Sequence, residues 1–309
     1  MPSFKTIYWW IRPSIGPFFG GIFYGLGIWL SLQRMLSWLV PDNILLLKIL
    51  EQAWFVVPSA TSLHAGWNSR QRFPSSLISD TDIIVELRVG DMFKREGAFI
   101  IGSNTTFDTS MEDHTISEKS IQGQFTLRFA HDVRELDTQL NESLTDIPIQ
   151  SELPVTSKRF GKRNSYGRGT VCPVILKNRK AYFVSIASLN NNRVAQSTLD
   201  ELLDALPIMW SQLRERGGME NLVCPILGSG FSRINTPKEK LVQHLIRSFV
   251  ASSREGKLTE KLSIMIPGSD LNEGKVDLEA LRKFLEHECT YQSVAGSHTL
   301  QGTPVDTMT

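Results

Sequence analysis

The feature that most constrains this chain is an uncharged run near its start. Pro13 to Gln33, 21 residues between Arg12 and Arg34, carry no charged side chain, and the inner part from Ile15 to Leu32 reads IGPFFGGIFYGLGIWLSL. At a rise of about 1.5 Å per residue, roughly 20 such residues cross a hydrocarbon layer about 30 Å thick. Glycines at 16, 20, 21, 25 and 27 weaken a helix in water. Small residues four apart instead let two helices approach closely, and Gly16/Gly20 and Gly21/Gly25 both have that spacing. Trp9, Trp10, Trp29 and Trp38 gather towards the two ends, where interfacial aromatics belong. The run therefore predicts a membrane span over about 14–33. A secretory signal peptide competes, but Arg34, Met35 and Leu36 follow where a small-x-small cleavage site would be needed. A buried soluble helix is the third reading, and the glycines and aromatic flanks count against it.

A second apolar segment, Ile44 to Pro58, contains Lys48 and Glu51 on one helical face. Charges at depth are costly unless paired, so 43–58 is expected to be a second span or an interfacial helix. A hairpin would bring Lys5 and Arg12 to the side of Arg70 and Arg72, with both ends cytoplasmic by the positive-inside rule. Residues 1–57 thus form the expected membrane segment. Of the 33 basic and 32 acidic residues in the chain, four basic and two acidic ones lie there, so the remainder is close to neutral. That removes the simplest electrostatic case for a nucleic-acid partner. Three cysteines (Cys172, Cys224, Cys289) make no disulfide framework and suit a reducing compartment.

The rest alternates strand and helix signals. Residues 58–80, rich in Ser, Pro and Arg, are expected to be a linker. Strands are expected at 82–89 and 98–101, at 170–176 and 180–187 around a turn at Asn178, at 221–227 and at 262–266. Amphipathic helices are expected at 197–216, 238–252 and 278–288. Residues 119–130 fit helix or strand, with Gly123 counting against helix. The polar stretch 131–168 is expected to be a partly ordered insertion, and 290–309 a disordered polar tail. This order implies a layered α/β domain over 81–289.

Three candidate sites each follow a strand. Gly228-Ser229-Gly230-Phe231 lies between a strand and a helix, where backbone N–H groups and the helix start suit a diphosphate; an ordinary βα turn explains it equally. No Gly-Lys-Ser/Thr follows, so it is not a Walker loop, and the glycines directly flanking Ser229 exclude a nucleophile elbow. Asp91, in Gly90-Asp91-Met92, could accept an exocyclic amine or simply cap a helix. Gly102-Ser103-Asn104-Thr105-Thr106 is the third. Strand ends converge on one edge of a parallel sheet, where ligands bind. The six histidines show no ligand spacing, so no metal site is expected, and no catalytic constellation can be assigned.

In order, VGDM (89–92), IIGSNTTF (100–107) and PILGSGFSRI (225–234) resemble the macro domain, an ADP-ribose-binding module. In that family one strand ends in Gly-Asp-Ile, a second runs into an Asn-Ala-Ala-Asn-type turn, and a Gly-[Ser/Thr]-Gly-[Ile/Val]-[Phe/Tyr] loop precedes a helix. The resemblance covers roughly residues 80–289. It implies a three-layer α/β/α fold with a mixed central sheet, here behind an N-terminal transmembrane helix or helical hairpin. It also implies that Asp91 and the Met92 N–H meet adenine and that Asn104 faces the distal ribose. Gly228, Ser229, Gly230, Phe231 and Ser232 would cradle the diphosphate and distal ribose. Two departures stand out. FDTSMEDHTISEKSIQGQF (107–125) lacks the glycine-rich first loop of family hydrolases, and Gly102-Ser103 replaces Asn-Ala. Both favour a sensing pocket over hydrolysis, with Ser120, Ile121, Gln122 and Gly123 as first-loop contacts.

A macro domain behind a membrane segment is similar to the effector of type II Thoeris anti-phage systems. That likeness implies a non-enzymatic sensor–effector at the inner membrane, with its macro domain cytoplasmic. Its TIR-domain partner would consume NAD to make histidine-linked ADP-ribose. Binding of that signal would drive homo-oligomerisation and disruption of the lipid bilayer, with no cofactor and no nucleic acid. The alternatives are a membrane-tethered ADP-ribosyl hydrolase using Asn104, and a macro-like scaffold that binds nothing.

Overall fold

The structure, a computed structural model, describes residues 4–39, 55–69, 73–112, 115–230 and 234–291. They fall into two units, one drawn from Met1–Phe73 and Gly268–Gly274, the other from Pro74–Pro267 and Lys275–Thr309.

In the first unit, helix α1 (Phe4–Leu39) runs through the uncharged stretch and packs antiparallel on α2 (Val56–Ser69). The Gly21/Gly25 spacing makes that packing possible. A Cβ at Gly21 would lie 2.8 Å from Ser62 Cα, and one at Gly25 would lie 2.5 Å from Pro58 Cα and against Thr61 Oγ1. Thr61 Oγ1 donates to the Gly21 carbonyl at 2.8 Å, joining the helices with a hydrogen bond that only close approach permits. Gly20 and Gly27 face open space.

Among the described residues no helix is long and apolar enough to cross a membrane. The run over 14–33 lies within α1. Of the stretch 58–80, expected to be a linker, α2 occupies the start and β1 (Ser75–Leu77) the end. Most of the expected second apolar segment (43–58), at 43–54, lies outside the described residues, as does the tail beyond 291.

The second unit continues with β2 (Ile84–Val89), a 3₁₀ turn at Met92–Lys94, β3 (Ala98–Asn104), α3 (Ile121–Phe129), α4 (Val133–Leu144) and a two-stranded hairpin of β4 (Ser151–Glu152) and β5 (Asn164–Ser165). Then come β6 (Val171–Leu176), β7 (Arg179–Leu189), β8 (Ala195–Gln196), α5 (Leu199–Arg216), β9 (Leu222–Pro225), α6 (Lys238–Glu255) and β10 (Lys261–Ile266). Helix α7 (Gly268–Asn272) belongs with the first unit, and α8 (Leu278–Thr290) ends the second. The sheet order is β1-β2-β10-β9-β3-β7-β6, with β8 paired to the end of β7. β2, β10, β9, β3 and β7 are parallel, while β1, β6 and β8 run antiparallel to their neighbours.

Helices cover both faces, giving the expected three layers around a mixed sheet. On one face Phe93, Phe99, Phe125, Phe129 and Phe183 pack together, with centroids 5.4 Å apart for Phe93–Phe99 and 5.7 Å for Phe125–Phe183. On the other, Trp210 of α5 meets Phe249 of α6 at 5.1 Å and donates from Nε1 to Ser248 Oγ. Each such buried ring stabilises the fold by about 1.5–3 kcal/mol. Helix α5 opens with a capping box in which Thr198 and Glu201 satisfy each other's backbone N–H groups.

The segment 119–130 resolves as helix, started by Ser120 Oγ accepting from Gly123 N at 3.0 Å. Gly123 is required there: a Cβ would strike the Ser117 carbonyl oxygen and lie 2.8 Å from Glu118 Cα. Within the expected insertion 131–168, α4 packs on β6 and places Leu136, Leu140 and Leu144 in the core, so this part of the segment supplies part of a layer.

Candidate functional site

All five parallel strands end on one edge of the sheet, and the site is built there from the end of β3 outward. Asn104, 4% exposed, closes β3 where its register with β7 shifts. Its Oδ1 accepts from Thr106 N at 3.1 Å, Thr106 Oγ1 at 2.9 Å and Asp108 N at 3.2 Å. Two of those donors are backbone amides, so the carboxamide can stand only one way round. Its Nδ2 is consequently turned away from the turn, buried and without a partner.

A buried ion pair fixes this arrangement. Lys158 and Asp108 are 3% and 1% exposed in their side chains and meet at 2.5 Å. Lys158 Nζ also donates to Thr106 Oγ1 at 2.7 Å and to the Lys162 carbonyl, while Lys162 N donates to Asp108 Oδ1 at 2.7 Å. Gln122 Nε2 donates to the Asp108 carbonyl at 2.7 Å. The 158–162 loop is thereby pinned to the turn after β3.

Between this turn, the start of α3 and the β7–β8 turn lies a cavity of about 210 Å³. Gly102, Ser103 and Asn104 form one wall, Thr115–Ser117, Ser120 and Gln122 a second, and Ala187, Leu189 and Arg193–Ala195 a third. Besides Asn104 Nδ2, Ser103 Oγ and Arg193 Nε are buried and unpartnered there. Arg193 sits in the left-handed region at φ 58°, in a turn where Asn190 Oδ1 accepts from Asn192 N at 2.9 Å and Val194 N at 3.0 Å. Its guanidinium carbon lies 4.0 Å over the Phe160 ring.

The cavity thus gathers Asn104, Ser120 and Gln122 from the residues expected by sequence. Ile121 and Gly123 turn to the core and to the 117–118 turn. Asp91 caps the 3₁₀ turn, with Oδ1 accepting from Phe93 N at 3.0 Å, and pairs through Oδ2 with Arg128 Nη1 at 2.8 Å. Burial raises its carboxyl, but the hydrogen bonds from Arg128 and Phe93 outweigh that and hold it below the usual range. Met92 is buried. Gly228 has φ 80°, and a Cβ there would lie 2.5 Å from Ile234 Cδ1. Ser229 Oγ donates to the Ile226 carbonyl at 2.7 Å, and Gly230 faces open space. None of these lines the cavity. Phe231 and Ser232 lie outside the described residues.

Ser103 and Thr106 belong to the third motif picked out from the sequence, whereas Arg193, Asp108 and Lys158 were missed. The Asn190–Asn192 run before Arg193 was a legible turn signal. Lys158 stands in a basic cluster that reads as a solvated face. The three cysteines are buried, and burial pushes the Cys172 thiol up to about 12, so these thiols are inert. Among the described residues no group of His, Cys, Asp and Glu could hold a metal ion.

A mixed sheet with a parallel centre, helices on both faces and a polar cavity at the strand ends is the architecture that the macro-domain resemblance implies. The sequence family described as Thoeris protein ThsA, Macro domain, matches residues 85–267, more than half of the chain. The chain belongs to that family. The Thoeris protein ThsA of Bacillus amyloliquefaciens (strain Y2) is 24% identical over 208 residues, covering 65% of this chain and 67% of that protein. Among solved structures, the Oceanobacillus iheyensis macrodomain with MES bound has a TM-score of 0.43 at 13% identity, covering 68% of this chain and 97% of that one. The same macrodomain with ADP has a TM-score of 0.44 at 12% identity, covering 69% of this chain and 99% of that one.

Proposed function

We propose that this protein is a sensor–effector of anti-phage defence whose macro domain binds an ADP-ribose-type signal, histidine-linked ADP-ribose, made from NAD by a TIR-domain partner. The observation that carries the reading is the cavity at the end of β3, where Asn104 Nδ2 is held in place, buried and unpartnered. A buried donor without an acceptor costs about 1–3 kcal/mol, and a ligand oxygen relieves it. Membership of the ThsA macro-domain family supports the defence role. Gly230, open to space after β9, leaves room for the diphosphate.

Binding, not turnover, is the proposed task. Gln122 and Gly123 serve the fold of the first loop, the stretch that is glycine-rich in family hydrolases. The output runs through the N-terminal unit. On α1, Phe19, Phe23, Tyr24, Leu30, Trp38 and Leu39 are exposed, an apolar surface suited to a second copy and to the lipid of the inner membrane. Any such coupling requires the ligand to bind the assembled state more tightly.

Titrating the full chain with ADP-ribose and histidine-linked ADP-ribose in a calorimeter, while following particle size by light scattering, tests this. Saturable binding with growth in size is expected, and no binding of either ligand refutes it. The second reading, hydrolysis using Asn104, predicts release from ADP-ribosylated substrates that Asn104→Ala abolishes; equal background release by both proteins rejects it.

A further inference from the structure

We propose that Gln139, Ser143 and Gln212 close the β6 edge of the sheet to strand addition, by standing where a neighbouring strand would stand. The inference rests on backbone geometry and is independent of the nucleotide reading. The sheet order ends in β1 on one side and in β6 on the other. β1 has three residues, whereas β6 has six, and its sequence VCPVIL is apolar and uncharged. A strand of that kind with free N–H and C=O groups is a template for another chain. The chain always at hand is a second copy, so an open edge would let copies associate without any ligand.

The register shows which groups are at stake. β6 pairs antiparallel with β7 across a turn at Lys177 and Asn178, both in the left-handed region. Leu176 lies opposite Arg179, Val174 opposite Ala181 and Cys172 opposite Phe183. The antiparallel alternation gives the backbone groups of those three β6 residues to β7 and turns those of Val171, Pro173 and Ile175 outward. At each of the three the outward donor is taken or missing. Val171 N donates to Gln212 Oε1 at 2.8 Å. Pro173 has no N–H, and its carbonyl accepts from Ser143 Oγ at 2.8 Å. Ile175 N donates to Gln139 Oε1 at 2.8 Å, and its carbonyl accepts from Gln139 Nε2 at 2.9 Å. The Gln139 carboxamide therefore makes the pair of bonds that one residue of an added strand would exchange with Ile175. Gln139 and Ser143 come from α4 and Gln212 from α5, so both helix layers contribute. Ile175 is 57% exposed, and water would serve its backbone equally well. What the side chains do and water does not is exclude a strand.

The test compares the full chain, without nucleotide, as wild type and as the open-edge variant Gln139→Ala/Ser143→Ala/Pro173→Val. The probe is a short fluorescent peptide of alternating threonine and valine, read by anisotropy. The open-edge variant is expected to bind it roughly tenfold or more tighter than wild type, the scale of one or two backbone hydrogen bonds. Adding Ile175→Pro removes the outward N–H again and should abolish the gain. Thermal melts establish folding, and if the triple variant fails to fold, Gln139→Ala alone is titrated with the same direction expected. Equal affinity of wild type and a folded variant overturns the inference, and a lowered Tm with no gain in binding would make the three side chains braces between helix and strand. A gain that survives Ile175→Pro overturns it too, because the peptide would then be bound elsewhere.

Discussion

Replacing Lys158 with methionine keeps most of the side-chain volume and removes the charge. Asp108, 1% exposed, would then keep the Lys162 N–H and a share of the single Thr106 hydroxyl proton, for which the Asn104 oxygen competes. Removing one partner of a buried pair costs about 3–5 kcal/mol, because the other charge stays buried. For a unit of roughly 200 residues each kcal/mol lowers Tm by about 2–4 °C, so a fall on the order of 10 °C is expected. Asp108→Asn added to Lys158→Met should recover part of it, since a neutral pair carries no uncompensated charge. Near-ultraviolet circular dichroism on heating reads both. The site should suffer as well: Thr106 and the Asp108 N–H hold the Asn104 carboxamide, so ligand affinity should fall even at temperatures where the variant is fully folded. A fall in Tm below about 2 °C, or no recovery in the double variant, would refute the claim that this pair organises the site.

Further outcomes follow from single contacts. Gly123→Ala drives a Cβ into the backbone of Ser117 and Glu118, so a loss of about 1–3 kcal/mol in a denaturant melt is expected, together with weaker ligand binding. Gly228→Ala should cost about 1–2 kcal/mol from its left-handed backbone alone. Gly230→Ala has open space and should leave Tm unchanged while weakening nucleotide affinity; an unaffected titration would remove the diphosphate from this loop. Burial raises the Glu220 carboxyl, but hydrogen bonds from Lys180, Tyr182 and Gly218 N bring it from 4.5 to about 2. A depressed carboxylate stabilises the fold above its unfolded value and loses that contribution as pH falls through its folded one. Stability should therefore drop between pH 4.5 and about 2, and Glu220→Gln should flatten that limb in urea melts taken across the range.

Much of the α/β domain was legible because its strands and helices carry strong periodicity and clear stops. Thr198 and Gly217 bound α5 where the apolar spacing does, and the βαβ order follows from the alternation. The three strand-end motifs do lie along one edge. What escaped the sequence depends on contacts distant along the chain. Gly123 counted against helix until the close approach of residues 117–118 explained it. Lys158 reaches Asp108 across 50 positions, and no local pattern marks a lysine in a basic cluster for burial. The stretch 131–168 looked loose because its polar residues outnumber the three leucines that anchor α4. At the N-terminus, the spacing of Gly21 and Gly25 correctly signalled close helix packing, although no described helix is long and apolar enough to cross a membrane.

The central claim is that a nucleotide occupies the edge cavity at Asn104. Hydrogen–deuterium exchange of the full chain, with and without saturating ADP-ribose and histidine-linked ADP-ribose, tests it most directly. Protection is expected in peptides covering 102–122 and 226–230, extending to 190–196 with the conjugate. Protection confined to other segments, or none in 102–122 despite measured binding, would contradict it.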